Sequence, residues 1–330
     1  GPPFPSDPAD EEEEGGCWIK SGMTENGSFE DLIAAESDDY AWVDGDEREP
    51  CMLCYTSGTT GNPKGVLYEH RSTLLHALTG VQADVFGITR RAVALPIVPM
   101  FHAAAWGLPF SAPIAGCKIV FTADYMPKTI YDLMHAEGVT HTAAVPTVWL
   151  GLMAYVDQIG GDFGKLEVLV IGGAAAPRAM IDYFMSRGVR VCHAWGMTEM
   201  SPIGTTGALP AFWDELSYEE QLDISCKQGR VPFGMELRTV DDGGRVLPRD
   251  GKSAGRLQAR GPWVVQRYFK DEEDATDAEG WFDTGDVAIL HPCGTMQITD
   301  RSKDVIKSGG EWVSSIELGD AGVGWPRVAA

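Results

Sequence analysis

Basic residues are scarce in this chain: 26 Lys and Arg stand against 48 Asp and Glu, for a formal net charge of −22. A surface of that sign repels a phosphodiester backbone, so no nucleic-acid partner is expected. The deficit is uneven. Residues 1–50 hold 16 acidic and 2 basic side chains, and Pro2, Pro3, Pro5 and Pro8 precede the run Glu11 to Glu14. Residues 1–45 therefore read as an acidic, partly disordered lead segment. Cysteine is sparse too: seven, an odd number, spread widely through a chain too long to need disulfide staples. That usage fits a reducing compartment, the cytoplasm or an organellar matrix. Cys51 and Cys54 make a C-x-x-C spacing, but no second cysteine or histidine pair lies at zinc-finger distance, and no metal is assigned there. A long uninterrupted apolar run is also lacking. Ala92 to Cys117 carries no Asp, Glu, Lys or Arg, yet Pro96, Pro99, Pro109 and Pro113 break any single helix, so no membrane span is expected. No secretory signal opens the chain, and Gly1 in place of Met suggests a fragment or a processed chain.

What remains is rich in alternating elements. At 330 residues and 44% hydrophobic content the chain can bury a sizeable core. Helical spacing of Leu74, Leu75, Leu78, Val81 and Val85 predicts a helix over 71–85, and apolar runs predict strands over 92–98, 118–122, 140–145, 167–171 and 189–193. Helices are expected between them, over 129–137, 146–156 with Pro146 at a tolerated first-turn position, and 177–186. Such alternation implies an α/β fold with a parallel sheet and ligand loops at the strands' carboxyl ends. After about residue 230 the texture changes to short strands and tight turns, 234–240, 245–247 and 255–260, predicting a small β subdomain. The expected division is a lead over 1–45, an α/β part over 46–230, the β subdomain over 231–300 and a final segment over 301–330.

The densest chemistry lies at Tyr55-Thr56-Ser57-Gly58-Thr59-Thr60-Gly61-Asn62-Pro63-Lys64-Gly65. Hydroxyls, glycines and one lysine follow a short apolar run that reads as a buried strand. Glycines let backbone N–H groups approach phosphate oxygens while Lys64 supplies positive charge. The spacing is not that of a Walker A loop, because Lys64 follows Pro63 and precedes Gly65.

This spelling resembles the phosphate-binding loop of the adenylate-forming superfamily. Four further blocks resemble that superfamily in the order it requires: Gly172-Gly173-Ala174-Ala175-Ala176-Pro177, His193-Ala194-Trp195-Gly196-Met197-Thr198-Glu199, Gly280-Trp281-Phe282-Asp283-Thr284-Gly285-Asp286, and the stretch Asp300 to Glu311. The resemblance implies the superfamily's large domain, with parallel α/β sheet subdomains followed by a small β-barrel-like subdomain. It implies that Thr56, Ser57, Gly58, Thr59, Thr60, Gly61 and Lys64 hold the phosphates of ATP. Gly173, Ala174, Trp195 and Gly196 would bound the adenine, and Asp286 and Arg301 the ribose. Thr198 and Glu199 would serve the α-phosphate, with Glu199 as the carboxylate for Mg²⁺. His102, within Met100-Phe101-His102, would stand between nucleotide and acid. Lys303 would be the hinge into the lid, Ser308, Gly309 and Gly310 would meet coenzyme A, and Trp106, Val145, Thr147 and Trp149 would line an apolar acid pocket.

Within the superfamily the chain most resembles medium- and long-chain fatty acyl-CoA ligases, including those acting on methylthiopropionate. The implied substrates are a carboxylic acid, ATP and coenzyme A, and a homo-oligomer stays open. The chain departs from the pattern at both ends, with about fifty residues before the phosphate loop and no lysine after Ser308-Gly309-Gly310. It therefore reads as a fragment lacking most of the N-terminal region and the C-terminal lid. An adenylation module serving a carrier protein and an inactive nucleotide-binding remnant remain alternatives.

Overall fold

The structure is a computed structural model that describes residues 33–34, 36–39, 41, 44–56, 63–301, 306–308 and 311–313. Most of the acidic lead lies outside the described residues. The chain divides between Asp44 and Gly45 into two compact units, and the second, Gly45–Ala330, holds every strand among the described residues.

A five-stranded parallel sheet forms its centre. Strands β3 (Val93–Pro96), β4 (Lys118–Ile119), β5 (His141–Ala144), β6 (Val168–Ile171) and β7 (Arg190–His193) stand in the order β4-β3-β5-β6-β7. Neighbouring strands pair in parallel throughout. The near-continuous apolar character of β6, Val-Leu-Val-Ile, follows from burial on both faces. Leu169 and Ile171 enter one core cluster with Ile130, Trp149 and Phe184, while Val168 and Val170 enter another with Phe86, Ala105 and Trp106. Helices α3 (Pro127–Glu137) and α4 (Pro146–Ile159) each open on a proline and end on a glycine, Gly138 or Gly160, in the left-handed conformation. Proline lacks only a donor that the first turn leaves unpaired, and glycine adopts positive φ without a Cβ penalty. Helix α5 (Arg178–Met185) precedes β7, and α6 (Tyr218–Ser225) starts from a capping box between Ser217 and Glu220.

The strand before the phosphate loop corrects an expectation. Strand β1 (Pro50–Tyr55) was expected to be buried, but only Cys54 is; it pairs with β2 (Gly65–Glu69) as an antiparallel ribbon. A two-stranded ribbon leaves one face open, so its apolar run does not require enclosure. The following helix, α1 (His70–Gly80), is shorter than its apolar spacing suggested and faces the other way. It buries Ser72, His76, Ala77, Thr79 and Gly80, while Leu74 and Leu78 are 53% and 40% exposed. The reason is close packing on α2 (Leu108–Ala115): Ser111 Oγ donates to the Ala77 carbonyl at 2.9 Å, a contact open only to small residues. Helix α2 itself holds Pro109 in its first turn and Pro113 within, so these prolines limit the helix to eight residues rather than forbid it. No helix among the described residues is long and apolar enough to cross a membrane.

Between β3 and α2 the backbone does something unusual. Ala103, Ala104, Ala105 and Trp106 all have positive φ, at 39°, 43°, 49° and 56°, and Gly107 follows at 78°. Left-handed backbone costs a non-glycine residue about 1–2 kcal/mol. All five residues are buried, so tertiary packing sustains the turn.

The expected β subdomain is a four-stranded antiparallel sheet, ordered β10 (Glu236–Val240), β11 (Ala254–Arg260), β12 (Phe282–Leu290) and β13 (Met296–Arg301). Strand β11 alternates strictly between half-buried and buried residues, the period-2 signature of a sheet with one enclosed face. The segment 245–247 is not a strand; it contributes a single bridge between Val240 and Val246. Trp281 has two guanidinium groups close to its ring, Arg238 at 4.2 Å and Arg260 at 4.5 Å from the centroid.

Candidate active site

The phosphate loop is closed at its base by two hydrogen bonds. Thr56 N–H donates to the Lys64 carbonyl at 2.9 Å, and Lys64 N–H donates to Thr56 Oγ1 at 3.2 Å. Ser57, Gly58, Thr59, Thr60 and Gly61 lie outside the described residues. Beyond the loop, β2 carries Tyr68, whose buried hydroxyl donates to the Thr198 carbonyl at 2.6 Å. The strand that leaves the phosphate loop therefore also holds the Thr198-Glu199 turn.

That turn is a short 3-10 segment, Thr198–Met200, after strand β8 (Trp195–Gly196) and before strand β9 (Ile203–Thr205). Glu199 is 7% exposed, and Tyr268 donates its phenolic hydroxyl to Oε1 at 2.9 Å. Val265 N–H donates to the Glu199 carbonyl at 2.7 Å, Ser201 Oγ to the Trp263 carbonyl at 3.0 Å, and Trp263 Nε1 to the Ile203 carbonyl at 2.9 Å. Residues 263–268 thus cradle 199–203 from the other side. Burial, with Glu199 close by, raises both tyrosine hydroxyls above their ordinary value; for Tyr68 the neighbouring Cys54 adds to the effect. Both stay protonated, and so remain donors.

Among the described residues Glu199 enters no ion pair. A carboxylate so enclosed, with one oxygen held by a neutral donor and no cationic side chain paired to it among the described residues, has room in its coordination for a metal cation. The described residues contain no cluster of three or more candidate metal ligands. A lone carboxylate suits Mg²⁺, which keeps waters and takes its remaining oxygens from phosphate. Glu199 therefore fits a Mg²⁺ site completed by nucleotide.

Residues expected at the adenine and the ribose come together as well. Trp195 Nε1 donates to Asp286 Oδ2 at 2.8 Å, joining β8 to β12. The register of β12 and β13 sets Arg301 opposite Asp286. Gly196 sits beside Trp195 in β8, paired with Ile203. Gly173 and Ala174 lie exposed beyond the carboxyl end of β6, where a parallel sheet presents its ligands. A Cβ on Gly172 would stand 3.2 Å from the Trp106 ring, and one on Gly173 would stand 3.1 Å from Val145. Trp106, Val145 and the Gly172-Gly173 loop therefore meet. His102 is exposed at the opposite end of the left-handed turn from Trp106.

One expected pocket residue goes elsewhere. Trp149 is fully buried in the main core, edge-on to Phe184 at 6.1 Å, and offers no surface to a substrate. Thr147 is exposed in the first turn of α4. On the helix, 147 and 149 fall on different faces from each other, whereas Val145 precedes it. Ser308 ends strand β14 (Ile306–Ser308), opposite Glu311 of β15 (Glu311–Val313). Lys303, Gly309 and Gly310 lie outside the described residues. Tyr68, Val265 and Tyr268 were not anticipated; their roles are made by contacts with distant segments, and no local pattern marks them.

Comparison with known proteins adds independent findings. The profile of the AMP-binding enzyme family matches residues 7–269. A medium-chain-fatty-acid–CoA ligase of Ectopseudomonas oleovorans is 47% identical over 303 residues, which span 91% of this chain and 56% of that protein. A 3-methylmercaptopropionyl-CoA ligase of Ruegeria lacuscaerulensis is 47% identical over the same shares. Among solved structures, the O-succinylbenzoate coenzyme A synthetase of Bacillus subtilis, in complex with ATP and magnesium ion, superposes with a TM-score of 0.72 at 26% identity. That match covers 87% of this chain and 58% of the synthetase. The chain spans about half the length of the curated relatives it matches.

Proposed function

The chain belongs to the AMP-binding enzyme family, and from that premise we propose that it serves ATP-dependent activation of a carboxylic acid, of the fatty-acid class, to an acyl-adenylate and then to acyl-CoA. The observation that carries the reading is the hydrogen-bonded chain of site residues. Glu199 is enclosed and enters no ion pair among the described residues; Tyr268 joins it to the Lys64 side of the phosphate loop, and Trp195, in the β8-turn-β9 unit that carries Glu199, fixes Asp286 of β12.

In this reading Lys64 and the loop hydroxyls bind the β- and γ-phosphates, Thr198 lies at the α-phosphate, and Asp286 with Arg301 holds the ribose hydroxyls. Bound at Glu199, Mg²⁺ would supply positive charge to the phosphate oxygens. The acid's carboxylate oxygen forms a bond to the α-phosphorus and the bond to pyrophosphate breaks. The residues act by position and charge rather than by covalent chemistry. The thiol sulfur of coenzyme A then attacks the acyl carbon, its proton is released, and AMP leaves. Trp106 and Val145 offer apolar surface to the acid, and His102 stands at the mouth between the two. Lys303, Ser308, Gly309 and Gly310 are assigned to hinge and coenzyme A on motif position alone. The fatty-acid class rests on the relatives at 47% identity. The described cysteines are all free thiols, which supports a reducing, cytoplasmic setting.

Asp286→Ala tests the nucleotide site directly. Removing a charged hydrogen-bonding group should weaken ATP binding by about 1–3 kcal/mol in calorimetry. Equal affinity in both proteins would remove Asp286 from the site. Pyrophosphate exchange with a panel of acids then ranks substrates.

A further inference from the structure

We propose that Tyr268 is a positioning residue that orients the metal-binding carboxylate while keeping it apart from the phosphate-loop lysine. The inference rests on reading Glu199 as the Mg²⁺ carboxylate and Lys64 as a phosphate ligand, and it adds a role that neither motif contains.

One side chain spans the two groups. The Tyr268 hydroxyl donates to Glu199 Oε1 at 2.9 Å, and Lys64 Nζ lies 4.5 Å from the centroid of the same ring. The segment is fixed at both ends: Val265 N–H donates to the Glu199 carbonyl at 2.7 Å, and Phe269 N–H donates to the Gly65 carbonyl at 2.8 Å. Tyr268 is therefore strapped to the metal turn before it and to β2 after it. Its place is set by backbone, not by its own side-chain contacts.

The choice of a phenol has a physical consequence. A lysine or arginine at this position would neutralise Glu199 and compete with a metal ion for it. A neutral O–H donor fixes the orientation of the carboxylate and brings no positive charge to compete with a metal cation. The other half of the argument concerns Lys64. A lysine free to swing would pair directly with the nearby carboxylate and cancel both charges, but among the described residues neither Lys64 nor Glu199 enters an ion pair. The ring face gives the ammonium a resting place worth about 0.5–2 kcal/mol. That is weak enough to exchange for a charge-assisted phosphate contact when nucleotide arrives. The two oppositely charged groups are thus held ready for one polyanionic ligand and its metal.

Two variants separate the hydroxyl from the ring. ATP binding is measured by calorimetry on this chain, across graded Mg²⁺ and in chelator, with thermal unfolding as a control for the fold. In Tyr268→Phe, metal-free ATP affinity is expected to stay within about twofold, while the Mg²⁺ concentration for half-maximal enhancement rises about 3–10-fold, the usual worth of one hydrogen bond. In Tyr268→Leu, Lys64 is no longer kept from pairing with Glu199, and that competing pair should also lower metal-free affinity by about 2–10-fold. A purely structural role would lower affinity equally with and without metal, and that result would overturn the proposal. So would an unchanged Mg²⁺ dependence in Tyr268→Phe. Glu199→Gln distinguishes the levels of failure: if it too leaves the Mg²⁺ dependence unchanged, the metal assignment is wrong; if it abolishes that dependence while Tyr268→Phe does not alter it, only the role of Tyr268 falls.

Discussion

Single contacts in this site each perform more than one task, and Trp195 shows how to separate them. Its indole N–H donates to Asp286, while its ring lies in the segment assigned to adenine. Trp195→Phe keeps an aromatic face and removes the donor. Asp286 then loses its indole partner, and nucleotide affinity should fall by about 0.5–1.5 kcal/mol, roughly 3–10-fold. Calorimetry against ATP checks this, with circular dichroism to confirm the fold. If Trp195→Phe binds as tightly as the parent protein, the hydrogen bond does not prepare Asp286 for ribose. His76 illustrates a structural use of a polar group. It is fully enclosed, and burial pulls its pKa down to about 3. Its Nε2 accepts the Ile203 N–H at 3.2 Å, which ties α1 to the strand that follows the Thr198–Met200 turn.

The left-handed turn of residues 103–107 is the element whose conformation is hardest to explain locally. Alanine and tryptophan do not favour positive φ, so the turn persists because its surroundings fix it. His76 is one of the constraints. A Cβ on Gly107 would stand 2.5 Å from His76 Cε1, at a backbone φ of 78°. Gly107→Ala would combine strained backbone with overpacking against a buried ring, and should cost about 2–4 kcal/mol of stability. Urea unfolding measures it, and a loss below about 0.5 kcal/mol would show that the turn relaxes freely. Because the turn carries Trp106 to the Gly172-Gly173 loop, the same variant should alter acid binding more than nucleotide binding.

The unit from Gly45 onward carries several histidines that burial keeps neutral, and these give the folded protein a pH dependence. Burial pulls His76 down to about 3 and His193 down to about 4, and it lowers His141 as well. Their unfolded pKa is about 6.5. Between pH 6.5 and about 4 the unfolded chain binds protons that the native state refuses. Stability is therefore fully present above 6.5 and falls as the solution is acidified, by up to about 1.4 kcal/mol per pH unit for each such group. His135 acts the other way. Burial lowers its pKa, but the hydrogen bonds to Asp162 and the Tyr131 carbonyl, with the charges of Asp162 and Asp132, together outweigh this and the net shift is upward. Asp162 is 83% exposed, so solvent leaves that pair little weight. Urea midpoints at pH 7, 6 and 5 should decline in that order, and His193→Gln should flatten the profile. A midpoint that rises on acidification would contradict the buried-histidine account.

Much of this molecule is legible in one dimension. The alternation of apolar strands and helices places the parallel sheet, since both faces of β6 are enclosed and its residues must all be apolar. Proline and glycine mark the ends of α3 and α4 because their backbone preferences are local. The Trp195 to Glu199 block and Asp286 could be named from their spelling, and the fold brings Trp195 and Asp286 within one hydrogen bond. Apolar spacing misleads at α1, where Leu74 and Leu78 face outward because close approach to α2 selects small residues instead. Trp149 reads as a pocket residue for a similar reason: a large apolar side chain looks the same whether it meets a substrate or Phe184. The clamp around the Thr198–Met200 turn is invisible in one dimension. Tyr68 meets Thr198 across 130 residues, His76 meets Ile203 across 127, and Tyr268 meets Glu199 across 69. Periodicity and caps are set by neighbours a few residues apart, whereas a hydrogen bond between distant strands leaves no trace in the local pattern of either. Those partners exist only once the chain has folded.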